Sequence, residues 1–178
     1  MTFLVLTVAA LAAAAFLWWV ARGRARPLAS LAELPAGMER VDLDAFRTLM
    51  DPGEDSFLRA QLNPADYRQV HRLRVQAGLG YLDAVAANAA FLLRLGEAAR
   101  RSADPEQVAA GQQLVAAALR SRIYVFQARL RLGASWLFPG LSIQCGRALG
   151  AYEALKSQAA RTVSAHDPRL LGRLSASL

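Results

Sequence analysis

The first pattern along the chain is an uncharged run from Thr2 to Ala21, built from Ala, Leu, Val, Phe, Thr and Trp. As a helix rising about 1.5 Å per residue, these 20 residues reach roughly 30 Å, the thickness of a bilayer core. Trp18 and Trp19 stand at the end of the run, where amphipathic rings favour the headgroup level. Arg22, Arg24 and Arg26 follow, and Pro27 stops the helix. A cleaved leader would have a basic start, a shorter apolar core and small residues at its end. Here no basic side chain precedes the run, and Phe16, Leu17, Trp18 and Trp19 close it. The pattern predicts a single transmembrane anchor over residues 1–26. Positive flanks stay on the cytoplasmic side, so Met1 is expected outside and residues 27–178 in the cytoplasm, at the inner (cytoplasmic) membrane.

After the anchor the pattern changes. Residues 27–41 contain Pro27, Pro35 and Gly37 and show little apolar periodicity, which reads as a linker beside the membrane. Residues 42–178 read as a helical domain. Asp42 or Asp44 caps a short helix ending near Met50, Asp51-Pro52-Gly53 breaks the chain, and a second short helix spans Glu54 to Leu62. Asn63-Pro64-Ala65-Asp66 is a strong helix start, with the amide side chain at the cap and proline in the first turn. No stop follows until Asp104-Pro105, so one long helix is predicted from Pro64 to about Arg101. Asp104-Pro105-Glu106-Gln107 repeats the start signal and opens a third helix to about Leu137. The short connection at 102–104 makes those two helices antiparallel neighbours. Pro139-Gly140 breaks or kinks the chain, Leu141 to about Ala165 forms a fourth long element, and Arg169 to Ser177 a last short helix. No segment alternates apolar and polar residues as a strand would. The expected fold is all-α: the anchor, then an antiparallel bundle of three long helices with short helices packed across it. Whether the fourth element folds back on the third or continues it is left open by the sequence.

The faces of these helices carry the candidate interaction surfaces. In the helix from Pro64, residues Ala77 to Leu93 are nearly all apolar, with Asp83 and Asn88 as the polar exceptions. That stretch is short for a membrane span and contains an acid, so a central bundle helix is the expectation. Asp83 and Asn88 point in directions about 140° apart and should take separate partners, such as an arginine from the 120–131 stretch. Ser142, Gly146, Gly150 and Ala154 recur every four residues and line one face with small side chains, so another backbone can approach it. Such a face serves either dimerisation or tight packing within the bundle; Arg147, Glu153 and Lys156 on the same segment favour the second. Trp136, Leu137, Phe138, Leu141 and Ile143 form the densest large apolar cluster outside the anchor. It is either an exposed patch for a partner or the membrane, or a cap folded into the bundle.

Composition narrows the chemistry. The chain has one cysteine, which excludes an intrachain disulfide, and two histidines, too few with it for a closed zinc site. The 54% hydrophobic and 20% charged content does not suit a disordered chain. The net charge is +7, and 20 of the 21 basic side chains are arginine, a bias ascribed to genome composition. Basic residues cluster at Arg68–Arg74 and Arg120–Arg131. Beside a membrane these suit anionic headgroups or internal acids better than nucleic acid.

Phosphate-binding, dinucleotide-binding, nucleophile-elbow and metal-ligand motifs are absent from the sequence. Cys145 reads as a small buried hydrophobe, His71 as a structural residue in a basic stretch, and His166 as a helix-end residue. No cofactor, metal or catalytic residue is expected. The preferred function is therefore a non-catalytic accessory or scaffold subunit of a membrane-associated complex. Its expected partners are the lipid bilayer and other membrane proteins. The alternatives are a membrane-tethered homodimeric sensor or adaptor, with Gly146 and Gly150 at the interface, and an unrecognised enzyme or cofactor-binding bundle using His71, Asp83 or the arginines.

Overall fold

A computed structural model of the chain describes residues 38–137 and 145–166. The described residues form five helices: α1 Leu43–Leu49, α2 Pro52–Gln61, α3 Pro64–Ala99, α4 Pro105–Leu137 and α5 Gly146–His166. Among them there is no strand, and the fold is an all-α bundle. The anchor segment, residues 138–144 with Phe138, Leu141 and Ile143 of the apolar cluster, and the expected last short helix lie outside the described residues.

Local chemistry sets the helix starts. The Asp42 carboxylate accepts from the Asp44 and Ala45 amides, and Asp51 accepts from Gly53 with Pro52 in the first turn of α2. The Asn63 side chain accepts from the Ala65 and Asp66 amides, and Asp104 accepts from Glu106. Each cap satisfies amides that have no partner inside the helix.

α3 is 36 residues long and α4 is 33, and they run antiparallel through the short turn at 100–104. Gly96 faces Gly111 across the pair. A Cβ built on Gly111 would lie 2.8 Å from the Gly96 carbonyl oxygen, and one on Gly96 would lie 3.0 Å from the Gly111 oxygen. The two glycines are nearly equidistant from the turn, so antiparallel pairing brings them opposite each other. At the other end, a Cβ on Gly78 would meet Leu132 at 2.8 Å and Met50 at 2.9 Å. These three positions let side chains and backbone fill space that a methyl group would otherwise occupy.

α5 packs mainly on α4 and runs antiparallel to it: the Gln158 amide donates to Gln113 at 2.8 Å near one end, and Cys145 lies beside Arg131 at the other. The chain thus folds back after α4. α1 and α2 lie across α3, where Phe46 packs its ring against Tyr81 with centroids 5.3 Å apart. The core joins Phe46, Val75, Leu82, Leu92, Leu114, Val125, Leu132, Tyr152 and Leu155. Met38 and Val41 belong to it as well, so the core includes residues ahead of position 42. Among the described residues no helix is long and apolar enough to cross a membrane. The apolar second half of α3 owes its composition to burial: Leu82, Val85, Ala89 and Leu92 all belong to the core.

Candidate functional site

Two polar knots, one buried and one partly buried, hold the bundle together. The first centres on Asn88, fully buried in α3. Its carbonyl oxygen accepts from the Glu39 amide at 2.9 Å, and its NH₂ donates to the Glu39 carbonyl at 2.8 Å and to the Tyr152 hydroxyl at 2.7 Å. One side chain thereby ties the segment before α1 to α3 and α5. Burial pushes the Tyr152 hydroxyl pKa up, against the opposing effect of the Asn88 hydrogen bond.

The second knot gathers Asp55 from α2 with Tyr67, His71 and Arg74 from α3. Asp55 accepts from the Tyr67 hydroxyl at 3.0 Å and from Arg74 at 3.1 Å, and Arg74 also donates to the Leu49 carbonyl at 2.7 Å. His71 is buried, with Nε2 3.1 Å from the Ser135 carbonyl oxygen of α4. A carbonyl only accepts, so Nε2 carries the hydrogen. Nδ1 lies 3.6 Å from Asp55, too far for a hydrogen bond. Burial, aided by Asp55, raises the Tyr67 pKa. What this arrangement does is fasten α2, α3 and α4 at one end of the bundle.

An open groove of about 600 Å³ lies among α1, the end of α4 and the start of α5. Arg47, Met50, Arg131, Cys145, Gly146 and Gly150 line it, with Arg147 and Glu153 at its sides. Arg47 is ion-paired to Asp44 at 2.7 Å and to Glu153, and the Glu153 hydrogen bond leads the rise in its pKa. The Cys145 thiol is pushed up to about 11 by burial, against the pull of Arg131. Near neutral pH it is therefore a thiol and a poor nucleophile. The groove offers shape, guanidinium groups and a helix start rather than a reacting group.

The sequence-derived residues fall in three places. Trp18, Trp19, Arg22, Arg24 and Arg26 lie outside the described residues, as do Phe138, Leu141, Ser142 and Ile143. Leu137 ends α4, and Trp136 beside it is 47% exposed. Gly146, Gly150 and Ala154 are all exposed along α5, and a Cβ on either glycine would meet open space. Tight inward packing was the favoured expectation for that face; among the described residues it points outward instead. The close backbone approach is made by Gly96 and Gly111, whose signal in the sequence was their symmetry about the 102–104 turn. Asp83 pairs with Arg129 of α4, while Asn88 takes the separate partners named above. The Asn88–Tyr152 contact had no sequence signal, because the two residues lie 64 positions apart. Among the described residues no group of His, Cys, Asp and Glu side chains is placed to hold a metal ion.

No protein-family description, no curated protein and no solved structure matches this chain.

Proposed function

We propose that the chain is a single-pass, membrane-anchored helical bundle that acts without catalysis as an accessory or scaffold subunit of a membrane-associated complex. The observation that carries this reading is the uncharged run Thr2–Ala21, closed by Trp18 and Trp19 and followed by Arg22, Arg24 and Arg26. The bundle's chemistry is consistent with it. Buried Asn88 and the partly buried Asp55 and Arg74 tie helices together, and Cys145 is held as a thiol. In this reading the anchor places the domain on the cytoplasmic side of the inner membrane, where its surfaces hold other membrane proteins in place.

A homodimeric adaptor is the second reading, favoured by the outward face of Gly146, Gly150 and Ala154. A second copy could approach closely there. The test is mild detergent extraction of the full chain from its own membrane, with the mass of the particle measured and its components identified. The accessory reading expects other membrane proteins in fixed stoichiometry. A homodimer alone supports the adaptor, and a bare monomer contradicts both.

A further inference from the structure

We infer that Tyr67, His71 and Arg74 form a carboxylate-binding site on α3. Asp55 of α2 is its internal ligand, and an acidic side chain of a partner protein takes its place. The inference goes beyond the anchor reading and does not depend on it. The three side chains follow one another at intervals of four and three residues, the spacing of a single helix face. Their donors are set from outside α2. Arg74 gives Nε at 3.1 Å and Nη2 at 2.7 Å to the Leu49 carbonyl, and Nη1 turns to the Asp55 carboxylate at 3.1 Å. His71 is fixed through Nε2 on the Ser135 carbonyl of α4.

Asp55 fills this site incompletely. His71 is 2% exposed, and its Nδ1 has no hydrogen-bond partner, with Asp55 Oδ1 3.6 Å away. A buried ring nitrogen left unpaired is costly. A carboxylate free of the α2 backbone can approach it more closely. Nε2 carries the ring hydrogen, so Nδ1 donates only after taking a second proton. A fully seated carboxylate therefore brings a proton with it. Among the described residues, the charged and titratable groups around His71 are Asp55 and Arg59 from α2 and Tyr67 and Arg74 from α3. α4 contributes the neutral Ser135 carbonyl.

The present occupant is lightly held. None of the ten residues of α2 is buried: Asp55 and Leu58 are half-buried and the others are exposed. Arg59 adds a contact over the Tyr67 ring, 5.8 Å from its centroid. A helix that buries no side chain has little apolar area to keep it in place. The donors define the replacement. A guanidinium, a phenol hydroxyl and an imidazolium converge on the two oxygens of one carboxylate. Asp55 is itself borne by a helix, and the chain carries a net charge of +7. An aspartate or glutamate on a partner's helix therefore fits the site and is drawn toward it.

The test follows the His71 ring by NMR in the detergent-solubilised full chain. The chain has two histidines, so the signal lost in His71→Gln is assigned. The probes are sodium acetate, against sodium chloride at equal ionic strength, and a peptide of residues 51–62. Asp55→Ala vacates the site; Asp55→Asn keeps the side chain's shape and replaces it if the first variant loses helix. Both probes should shift the His71 signal saturably in the variant, with the peptide the tighter. The wild-type chain should respond to the same probes about tenfold more weakly, because Asp55 competes at high effective concentration. Arg74→Gln in the variant should weaken binding about tenfold, and so should raising the pH from about 5 to about 8. No saturable shift in a folded variant overturns the site. Equal affinity in wild type and variant places the probe elsewhere and overturns it too. A wild-type chain that never responds shows Asp55 to be a fixed strut and overturns the exchange. Acetate binding more tightly than the peptide assigns the site to a free small carboxylate and overturns the partner. Affinity indifferent to pH overturns the proton on His71.

Discussion

Two pairs of glycines in this molecule do opposite things. Gly96 and Gly111 sit face to face beside the α3–α4 turn, where each backbone occupies the space a side chain of the other would need. Gly146 and Gly150 lie along α5 with open space around them. Spacing within a helix shows that small residues share a face; what that face meets is decided by the partner helix. Register about a short turn identifies such a partner for Gly96 and Gly111. No comparable constraint ties Gly146 and Gly150 to a described neighbour.

The largest test of this contrast between packed and open regions lies at Asn88. Asn88→Ala leaves the Tyr152 hydroxyl and the Glu39 backbone without their buried partner, and should cost about 3 kcal/mol of stability. Denaturant unfolding of the detergent-solubilised full chain measures it; a change within about 0.5 kcal/mol would mean that water replaces the amide freely. Next comes Gly111→Ala. The added methyl gains about 1 kcal/mol of helix propensity but must push apart two backbones, for a net loss of about 2 kcal/mol. A stabilised variant would show that the helices do not approach so closely.

Alkaline titration is the third test. Cys145, Tyr67 and Tyr152 all have pKa values raised by burial, Cys145 from 9.0 to about 11. Between those two values the unfolded chain has lost the Cys145 proton and the folded one retains it, so stability falls as pH rises through that window. The tyrosines act in the same direction above their ordinary value of 10.0. The Cys145 share approaches about 2 kcal/mol by pH 11 and should vanish in Cys145→Ala. A pH-independent unfolding midpoint over this range would contradict the burial of these groups.

The smallest effect is the most discriminating. Gly150→Ala should stabilise the fold by about 1 kcal/mol, because the methyl enters open space within a helix. If instead it splits a dimer of the chain, the α5 face is an interface, and the contrast with Gly111 disappears.

What the sequence revealed and what it hid separate along the same physical line. Helix starts at Asp42, Asn63 and Asp104 were legible because a cap is local, an oxygen bonding amides two or three residues on. The α3–α4 hairpin followed from two such starts and a short turn. Asp83 found an arginine in the stretch expected to supply one. The direction of α5, the outward face of Gly146 and Gly150, and the tie from Asn88 to Tyr152 and Glu39 were hidden. Each depends on which helix lies opposite, and α3 is apolar on so many sides that its periodicity names no preferred neighbour. The burial of His71, its carbonyl partner on α4 and its nearness to Asp55 emerge only once α2, α3 and α4 are assembled.

The central claim is that Thr2–Ala21 holds this bundle at a membrane. The most direct measurement is the fate of the full-length chain when its native membranes are washed with alkaline carbonate. The account predicts that the chain stays in the membrane pellet until detergent is added. Release of the chain into the wash would contradict it.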